Sequence, residues 1–302
     1  MMLGRFFNGS TGISAGEATN AAGCRVYFGH FGQFMTNRLE TAFSTARRDG
    51  RKLLCPFFAS GYPTLELTAR LLKVAQDGGA GCIELGIPFS DPVADGPVIQ
   101  ACFTHALANG VTVDQSLEMV RRARGLGVTV PIVVMVSFSI IFKRGSRAFA
   151  KACSAAGVDG IILPDVPLEE AGGVVAAMRA EGLRSSLLVA PTTPPERRAA
   201  IARLCDGFVY YVSVVGITGE RKQLPADVAA QVGSIRAMTR TPVCVGFGIS
   251  TAEQVREVAA VADGVIVASA IMRRIGGMMK ESEERIEGEV GAFVRSLATG
   301  LV

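Results

Sequence analysis

The chain has 302 residues, 49% of them hydrophobic, with 35 glycines and a formal net charge of +4. That length allows one large domain or two, and the apolar fraction supplies a substantial core. No Lys/Arg block is dense enough to suggest a nucleic acid or an anionic membrane partner, and no apolar stretch approaches the length of a membrane span. Seven cysteines, at 24, 55, 82, 102, 153, 205 and 244, form no CxxC pair, and several sit in apolar runs, where Cys acts as a small hydrophobe. This suits a reducing cytosol and argues against a disulfide framework or a zinc site. With only His30 and His105, a His-rich metal centre is excluded, so the expectation is a soluble, cytoplasmic, metal-free protein.

In chain order, residues 1–34 are Gly- and Ser-rich without periodicity and read as a flexible, disordered tail, or as a start assigned too far upstream. A targeting peptide is only weakly signalled there, Arg5 and Arg25 being its strong bases. Asn37 opens a helix, with Glu40 three residues on as its capping-box partner; Leu39, Phe43 and Ala46 share a face, and Gly50 stops it. Strand-like runs follow at Leu53–Ser60, Cys82–Pro88, Ile132–Phe138, Gly160–Val166, Ser185–Pro191, Phe208–Val214, Val243–Gly248 and Gly264–Ser269. Between them lie amphipathic segments at Leu65–Gln76, Ser116–Arg124, Arg147–Ala156, Glu169–Ala180, Arg197–Leu204, Asp227–Met238 and Ala252–Ala260. The connection between the second and third strands is longest and holds two predicted helices, Val98–Ala108 and Asp114–Arg124. Eight strand–helix units over about 250 residues indicate an α/β fold, a (β/α)8 TIM barrel. An open doubly wound sheet explains the alternation too, but not the eight regular units or the lack of GxGxxG after the first strand. No linker interrupts residues 37–298, so 35–302 is expected to be one barrel domain with an extra N-terminal helix.

The second predicted strand carries an acid. Ile83, Leu85 and Ile87 point to one face and Cys82, Glu84 and Gly86 to the other. Glu is rarely buried unless paired or functional, and no basic residue lies near Glu84 in sequence. Asp95 follows in a Pro/Gly-punctuated loop, either as a second functional carboxylate or as a helix cap before Pro97. An acid on a strand with another just beyond it is the layout of a proton-transfer site. The seventh strand ends Gly246-Phe247-Gly248-Ile249-Ser250 and the eighth ends Val267-Ala268-Ser269-Ala270, running straight into a helix. Glycines that admit close backbone approach and amides at a helix start are the ingredients of a phosphate site, where such barrels often place one. Gly246 and Gly248 would also serve simply to turn a corner.

Glu84-Leu-Gly-Ile-Pro-Phe-Ser-Asp-Pro-Val-Ala-Asp95-Gly-Pro resembles the defining motif of the tryptophan synthase alpha chain family. Pro164-Asp165-Val166-Pro167, Tyr210-Tyr-Val-Ser213, Gly216-Ile-Thr218-Gly219 and Gly246-Phe-Gly-Ile-Ser250 follow in the family's order, the resemblance covering about residues 37–298. The resemblance implies retro-aldol cleavage of indole-3-glycerol phosphate to indole and glyceraldehyde 3-phosphate. It implies no cofactor in this chain, with pyridoxal phosphate in a beta-chain partner that takes the indole within an alpha2beta2 heterotetramer. By the same resemblance Glu84 is the general acid/base and Asp95 binds the indole N–H. Tyr210, Thr218 and Phe247 contact substrate, Tyr210 serving equally well as barrel filling, and residues 215–225 form a closing loop. Gly219, Gly248, Ala268 and Ser269 hold the phosphate.

Three positions depart from the family pattern: Ala268 replaces a usual Gly, Ser137-Phe138-Ser139 replaces a Tyr-x-Asn in a region that contacts the beta chain in relatives, and Gly61-Tyr62-Pro63 replaces Gly-Asp-Pro. Alternatives to the leading reading are another phosphate-binding barrel enzyme such as an aldolase or isomerase, a stand-alone indole producer, and a non-catalytic barrel that activates a beta partner. A Schiff-base aldolase would need a strand lysine, which none of the eight strand cores contains.

Overall fold

The computed structural model describes residues 17–19, 25–27, 37–91, 95–212, 228–246 and 248–301. It divides into two units, Met1–Thr36 and Asn37–Val302. In the first, strands β1 (Glu17–Thr19) and β2 (Arg25–Tyr27) pair antiparallel.

The second unit runs α1 (Arg38–Arg48), β3 (Leu53–Ala59), α2 (Leu65–Asp77), β4 (Ile83–Gly86), α3 (Pro97–Ala108), α4 (Val113–Gly125), β5 (Ile132–Met135), α5 (Phe138–Arg144), α6 (Ser146–Ala156) and β6 (Gly160–Leu163). It continues through α7 (Leu168–Ala180), β7 (Arg184–Val189), α8 (Pro195–Leu204), β8 (Val209–Val212), α9 (Val228–Arg236), β9 (Val243–Gly246), α10 (Ala252–Ala259), β10 (Gly264–Val267), α11 (Ser269–Gly277) and α12 (Glu283–Ala298). Strands β3 to β10 close in sequence order, β10 pairing with β3 and every neighbour parallel. This is the expected (β/α)8 barrel, with all eight predicted strands and both helices of the long connection in place.

Strand alternation sorts the side chains. Ile83, Leu85, Val134, Ile161, Val209 and Val245 pack outward against the helices, whereas Cys55, Cys82, Val133, Ile162, Tyr210, Cys244 and Ile266 fill the interior. The six described cysteines are free and buried, as their apolar settings suggest. Leu39, Phe43 and Ala46 of α1 join the interior cluster and close the barrel at the N-terminal ends of its strands.

An Asp-Gly pair before three alternate strands makes that closure possible. Asp159, Asp206 and Asp263 each accept an amide from the start of the preceding strand, from Ile132, Ser185 and Val243, at 2.8, 2.6 and 2.9 Å. Each also holds an arginine: Arg124 at 2.6 Å, Arg179 at 2.8 Å and Arg236 at 2.6 Å, respectively. The glycine that follows leaves room for the plug, since a Cβ on Gly160 or Gly207 would lie 3.2 Å from Leu39.

The structure corrects three local expectations. Asn37 caps α1 through Leu39 N at 2.8 Å, but Glu40 does not complete a capping box; it accepts from Arg184 at 2.6 Å instead. The ion pair to a neighbouring strand outcompetes a local bond. Phe138 and Ser269, placed at strand ends, begin α5 and α11. The chain turns at Phe138 because its amide and the Ser137 hydroxyl both donate to Asp165, at 2.7 Å each. Helices α5 and α12 had no counterpart among the predicted segments.

Asp159 is nearly fully buried and satisfies Ile132 N together with Arg124 and Arg38. Asp159→Ala is expected to cost about 3–5 kcal/mol, the usual penalty for leaving a buried charge and amide unpaired. Chemical denaturation of the two proteins measures it; a loss well under 1 kcal/mol would show that the Asp-Gly strap is dispensable.

Candidate active site

Glu84 lies between Phe57 of β3 and Val133 of β5 in register, its side chain turned into the barrel. It is 2% exposed, and its Oε2 accepts no hydrogen bond from any described residue. Burial, and then the charge of Asp95, push its pKa up to about 8. No described cation pairs with it, so the ion-pair reading has no support among the described residues.

Asp95 sits in the loop that carries β4 into α3. Gly96, not Asp95, is the N-cap of α3, and no side chain caps that helix, so the alternative of Asp95 as a cap is set aside. Burial, and then the charge of Asp165, raise the Asp95 pKa to about 6. Near neutral pH the pair therefore holds one proton on Glu84 and one negative charge on Asp95, because a second charge in the same low-dielectric space is disfavoured.

A cleft opens beside these acids at the C-terminal ends of β4, β5 and β6. Its apolar wall comprises Ile87, Phe89, Phe103, Met135 and Val136, and its polar wall Asp91, Asp95, Ser137 and Asp165. Gly86 makes the apolar side possible, since a Cβ there would lie 2.6 Å from Phe57 and 2.8 Å from Phe103. A flat aromatic ring with one polar edge suits such walls.

Tyr210 faces the interior from β8, 5% exposed, with its pKa raised by burial and next by Glu84. Its hydroxyl would lie 2.6 Å from a Cβ on Gly246. Gly246 thus makes room for Tyr210, a reason for glycine there that needs no ligand. Gly248 differs: its φ of +80° lies in the left-handed region that favours glycine.

At the end of β10, Ala268 is the N-cap of α11 and Ser269 its first residue. The first amides of a helix have no acceptor within it, and they favour an anion. Ser269 Oγ is buried and makes no hydrogen bond to a described residue. Gly248, Ala268 and Ser269 are accordingly on the same rim as the acids, at strand C-terminal ends. Thr218, Gly219, Phe247 and the 215–225 loop lie outside the described residues.

Asp165 was visible in the Pro164-Asp165-Val166-Pro167 motif but carried no expected role. It ties the β5 and β6 loops together and adds its charge to the burial that raises the pKa of Asp95. An acid immediately after a barrel strand is the signal that points to it. Among the described residues no group of His, Cys, Asp and Glu is placed to hold a metal ion, and no helix is long and apolar enough to cross a membrane.

A (β/α)8 barrel with two carboxylates of separated acidity at its C-terminal mouth belongs to the class of barrels built for acid–base chemistry. Comparison with known proteins narrows that class. The profile of the tryptophan synthase alpha chain matches residues 43–300. The chain is 42% identical over 261 residues to the tryptophan synthase alpha chain of Laribacter hongkongensis, covering 86% of this chain and 99% of that one. It is 46% identical over 234 residues to the alpha chain of Microcystis aeruginosa, covering 77% of this chain and 88% of that one. Among solved structures, tryptophan synthase subunit alpha from Legionella pneumophila superposes with a TM-score of 0.80 at 36% identity, over 88% of this chain and 98% of that one. The chain belongs to the tryptophan synthase alpha chain family. Alpha chains are carbon–carbon lyases that cleave indole-3-glycerol phosphate to indole and glyceraldehyde 3-phosphate. They carry no cofactor of their own, pyridoxal phosphate belonging to the beta chain, with which they work in an alpha2beta2 complex.

The burial of Glu84 has a stability signature with a definite sign. Its folded pKa of about 8 exceeds the unfolded value, so the folded state keeps a proton that the unfolded chain releases. Stability is lost as pH rises from ~4.3, the unfolded Glu value, through the folded one. Glu84→Gln is therefore expected to melt higher than the parent at pH 8, with the gain shrinking to nothing by about pH 4. Melting curves across that range check it; equal melting temperatures at pH 8 would mean that Glu84 is not held neutral.

Proposed function

We propose that Glu84 and Asp95 catalyse the family's retro-aldol cleavage in this chain, and that Ser269 and its neighbours anchor the substrate phosphate. The observation that carries the reading is the buried Glu84 carboxyl, whose Oε2 has no hydrogen-bond partner among the described residues, protonated near neutrality beside an ionised Asp95. Cleavage needs a proton delivered to indole C3, the carbon bearing the glycerol phosphate chain. The ring nitrogen then carries positive charge, and Asp95, accepting the N–H, stabilises it. A base next removes the proton from the hydroxyl on the adjacent side-chain carbon. The carbon–carbon bond breaks as its electron pair returns to the ring and the aldehyde forms. Glu84 gives the first proton and, as the resulting carboxylate, takes the second, so the enzyme ends as it began.

The apolar wall around Phe89 and Phe103 suits the indole ring, and the start of α11 suits the phosphate at the far end. Thr218, Gly219 and Phe247 keep their substrate and phosphate roles as part of the proposal, on family resemblance alone. Tyr210 lines the interior beside Glu84 and is assigned to the substrate wall. Neither a scaffold barrel nor a structural ion pair accounts for a buried acid that pairs with no cation among the described residues. For the beta-chain interface, α5 presents Phe142, 77% exposed and backed by the ring of Phe138 at 6.0 Å. The reaction is assigned to the cytoplasm, in keeping with the free buried cysteines.

Glu84→Gln is expected to lower kcat by ~10²–10⁴ while the protein stays folded, as loss of a general acid/base does. The parent kcat/KM should be bell-shaped in pH, with limbs near 6 and 8, belonging to the pair as macroscopic values. Asp95→Asn should be slow, should lose the acid limb, and should shift the alkaline limb down because the charge that raises Glu84 is gone. Indole release from purified protein reads all three; turnover of Glu84→Gln within a few-fold of the parent would remove Glu84 from the mechanism.

For the phosphate end, Ser269→Asp is expected to raise KM for indole-3-glycerol phosphate strongly while leaving indole binding intact, since like charges repel in a partly desolvated site. Ala268→Gly should preserve or lower KM without changing kcat, because binding that is uniform between ground and transition states leaves the chemical step alone. An unchanged KM in Ser269→Asp would relocate the phosphate site.

A further inference from the structure

The N-terminal face of the barrel, opposite the cleft, has a charge surplus that the closure of the barrel does not need. Two adjacent cavities lie there, sharing Phe43, Arg47 and Pro242 as walls. The larger, about 420 Å³, adds Glu40, Ser44, Arg48 and Gly207. The smaller, about 130 Å³, adds Arg51, Lys52, Arg236 and Asp263. The sequence shows Arg47, Arg48, Arg51 and Lys52 as a short mixed run; the fold adds Arg236 from α9 on the other side.

Five cations thus line the pair of cavities, and few carboxylates answer them. Asp263 takes Arg236 at 2.6 Å and Arg47 at 3.7 Å while its other oxygen accepts from Val243 N. Arg48 and Arg51 share the exposed Asp49, at 3.0 and 2.7 Å. Glu40 is taken by Arg184. Lys52 makes no hydrogen bond or ion pair with any described residue, although it is half-buried. Burial lowers its pKa, Asp263 opposes that, and Arg236 and Arg47 add to it. A half-buried ammonium that lines a cavity together with the guanidinium groups of Arg47, Arg51 and Arg236 is an unfavourable arrangement that an anion would relieve. The apolar cavity alongside, floored by Phe43 and Pro242, falls within the size of small-molecule pockets.

We propose that this face binds a small organic anion, with its phosphate or carboxylate head between Lys52, Arg51 and Arg236 and its apolar body over Phe43 and Pro242. Such a ligand bridges α1, α9 and the start of β3, and so fastens the helix that closes the barrel. The site is independent of the catalytic phosphate position, which lies at the opposite ends of the strands.

The test is residue-specific acylation of the full chain with acetic anhydride, read by mass spectrometry at each lysine, with phenyl phosphate as the probe. At a probe concentration of about ten times the dissociation constant, Lys52 should react about tenfold more slowly, while exposed Lys151 and Lys280 keep their rates. Inorganic phosphate should protect Lys52 only at higher concentration, since it lacks the apolar body. Protection by phenyl phosphate should be unchanged in Ser269→Asp, which separates this site from the catalytic one. In calorimetry, Lys52→Gln should weaken phenyl phosphate binding at this face and Lys52→Arg should restore it, with indole release unaffected in both. Equal Lys52 acylation with and without phenyl phosphate would overturn the proposal, and so would protection that vanishes in Ser269→Asp. Protection by inorganic phosphate as strong as that by phenyl phosphate would overturn the role of the apolar cavity.

Discussion

A buried carboxyl group with no hydrogen-bond partner among the described residues is the constraint around which this barrel is arranged. Water would solvate Glu84 at no cost to the fold, yet β4 turns it into an interior of aromatic rings and thiols. Such a group escapes the desolvation penalty by holding its proton, which makes it an acid at neutral pH. Asp95 reinforces this, because two carboxylates that share a poorly solvated space do not both ionise readily. The asymmetry between the two is environmental. Glu84 lies deeper and keeps the proton, while Asp95 nearer the mouth loses its own first.

A destabilised centre needs stability elsewhere, and the other end of the barrel supplies it. The Asp-Gly straps at 159, 206 and 263 tie strand starts together through backbone amides and through arginines, of which Arg124 is the most buried, and α1 inserts Leu39 and Phe43 into the opening they leave. The bonds there are charge-assisted and fully directed, the stronger kind. The division follows the general economy of such barrels, in which the N-terminal face holds the fold and the C-terminal face carries the chemistry.

The barrel was legible in the sequence because its strands are apolar runs with a period of two and its helices are amphipathic, so that eight repeats are countable. Glu84 stood out for being an acid in such a run. What the sequence concealed were features that depend on contacts distant along the chain. Glu40 has the spacing of a capping box, yet Arg184, 144 residues away, claims it. Phe138 is apolar enough to extend a strand, yet the carboxylate of Asp165 draws its amide into a helix start. Gly246 looked like part of a phosphate loop, and only the position of Tyr210 on the next strand reveals why no side chain fits there. Helix α12 has an N-cap, Ser282, and two acids in its first turn, signals that are local and readable but that no strand count demands.

The departure at residues 137–139 has a physical reading that reaches the chemistry. Ser137 is too short to fill the cleft as a larger side chain would, but its hydroxyl donates to Asp165 Oδ2 while the Phe138 amide donates to Oδ1. Both oxygens are thereby fixed, and the carboxylate is held on the cleft wall, where its charge raises the pKa of Asp95. Because the charge on Asp95 in turn raises Glu84, the acids form a series in which each adds to the shift that burial imposes on the next. The same pair of hydrogen bonds starts α5, the short helix that presents Phe142 to solvent. Any shift of α5 therefore pulls on Ser137 and Phe138, the two groups that hold Asp165 in place. The loop that departs from the family pattern thus joins the helix carrying the exposed Phe142 to the carboxylate that faces Asp95.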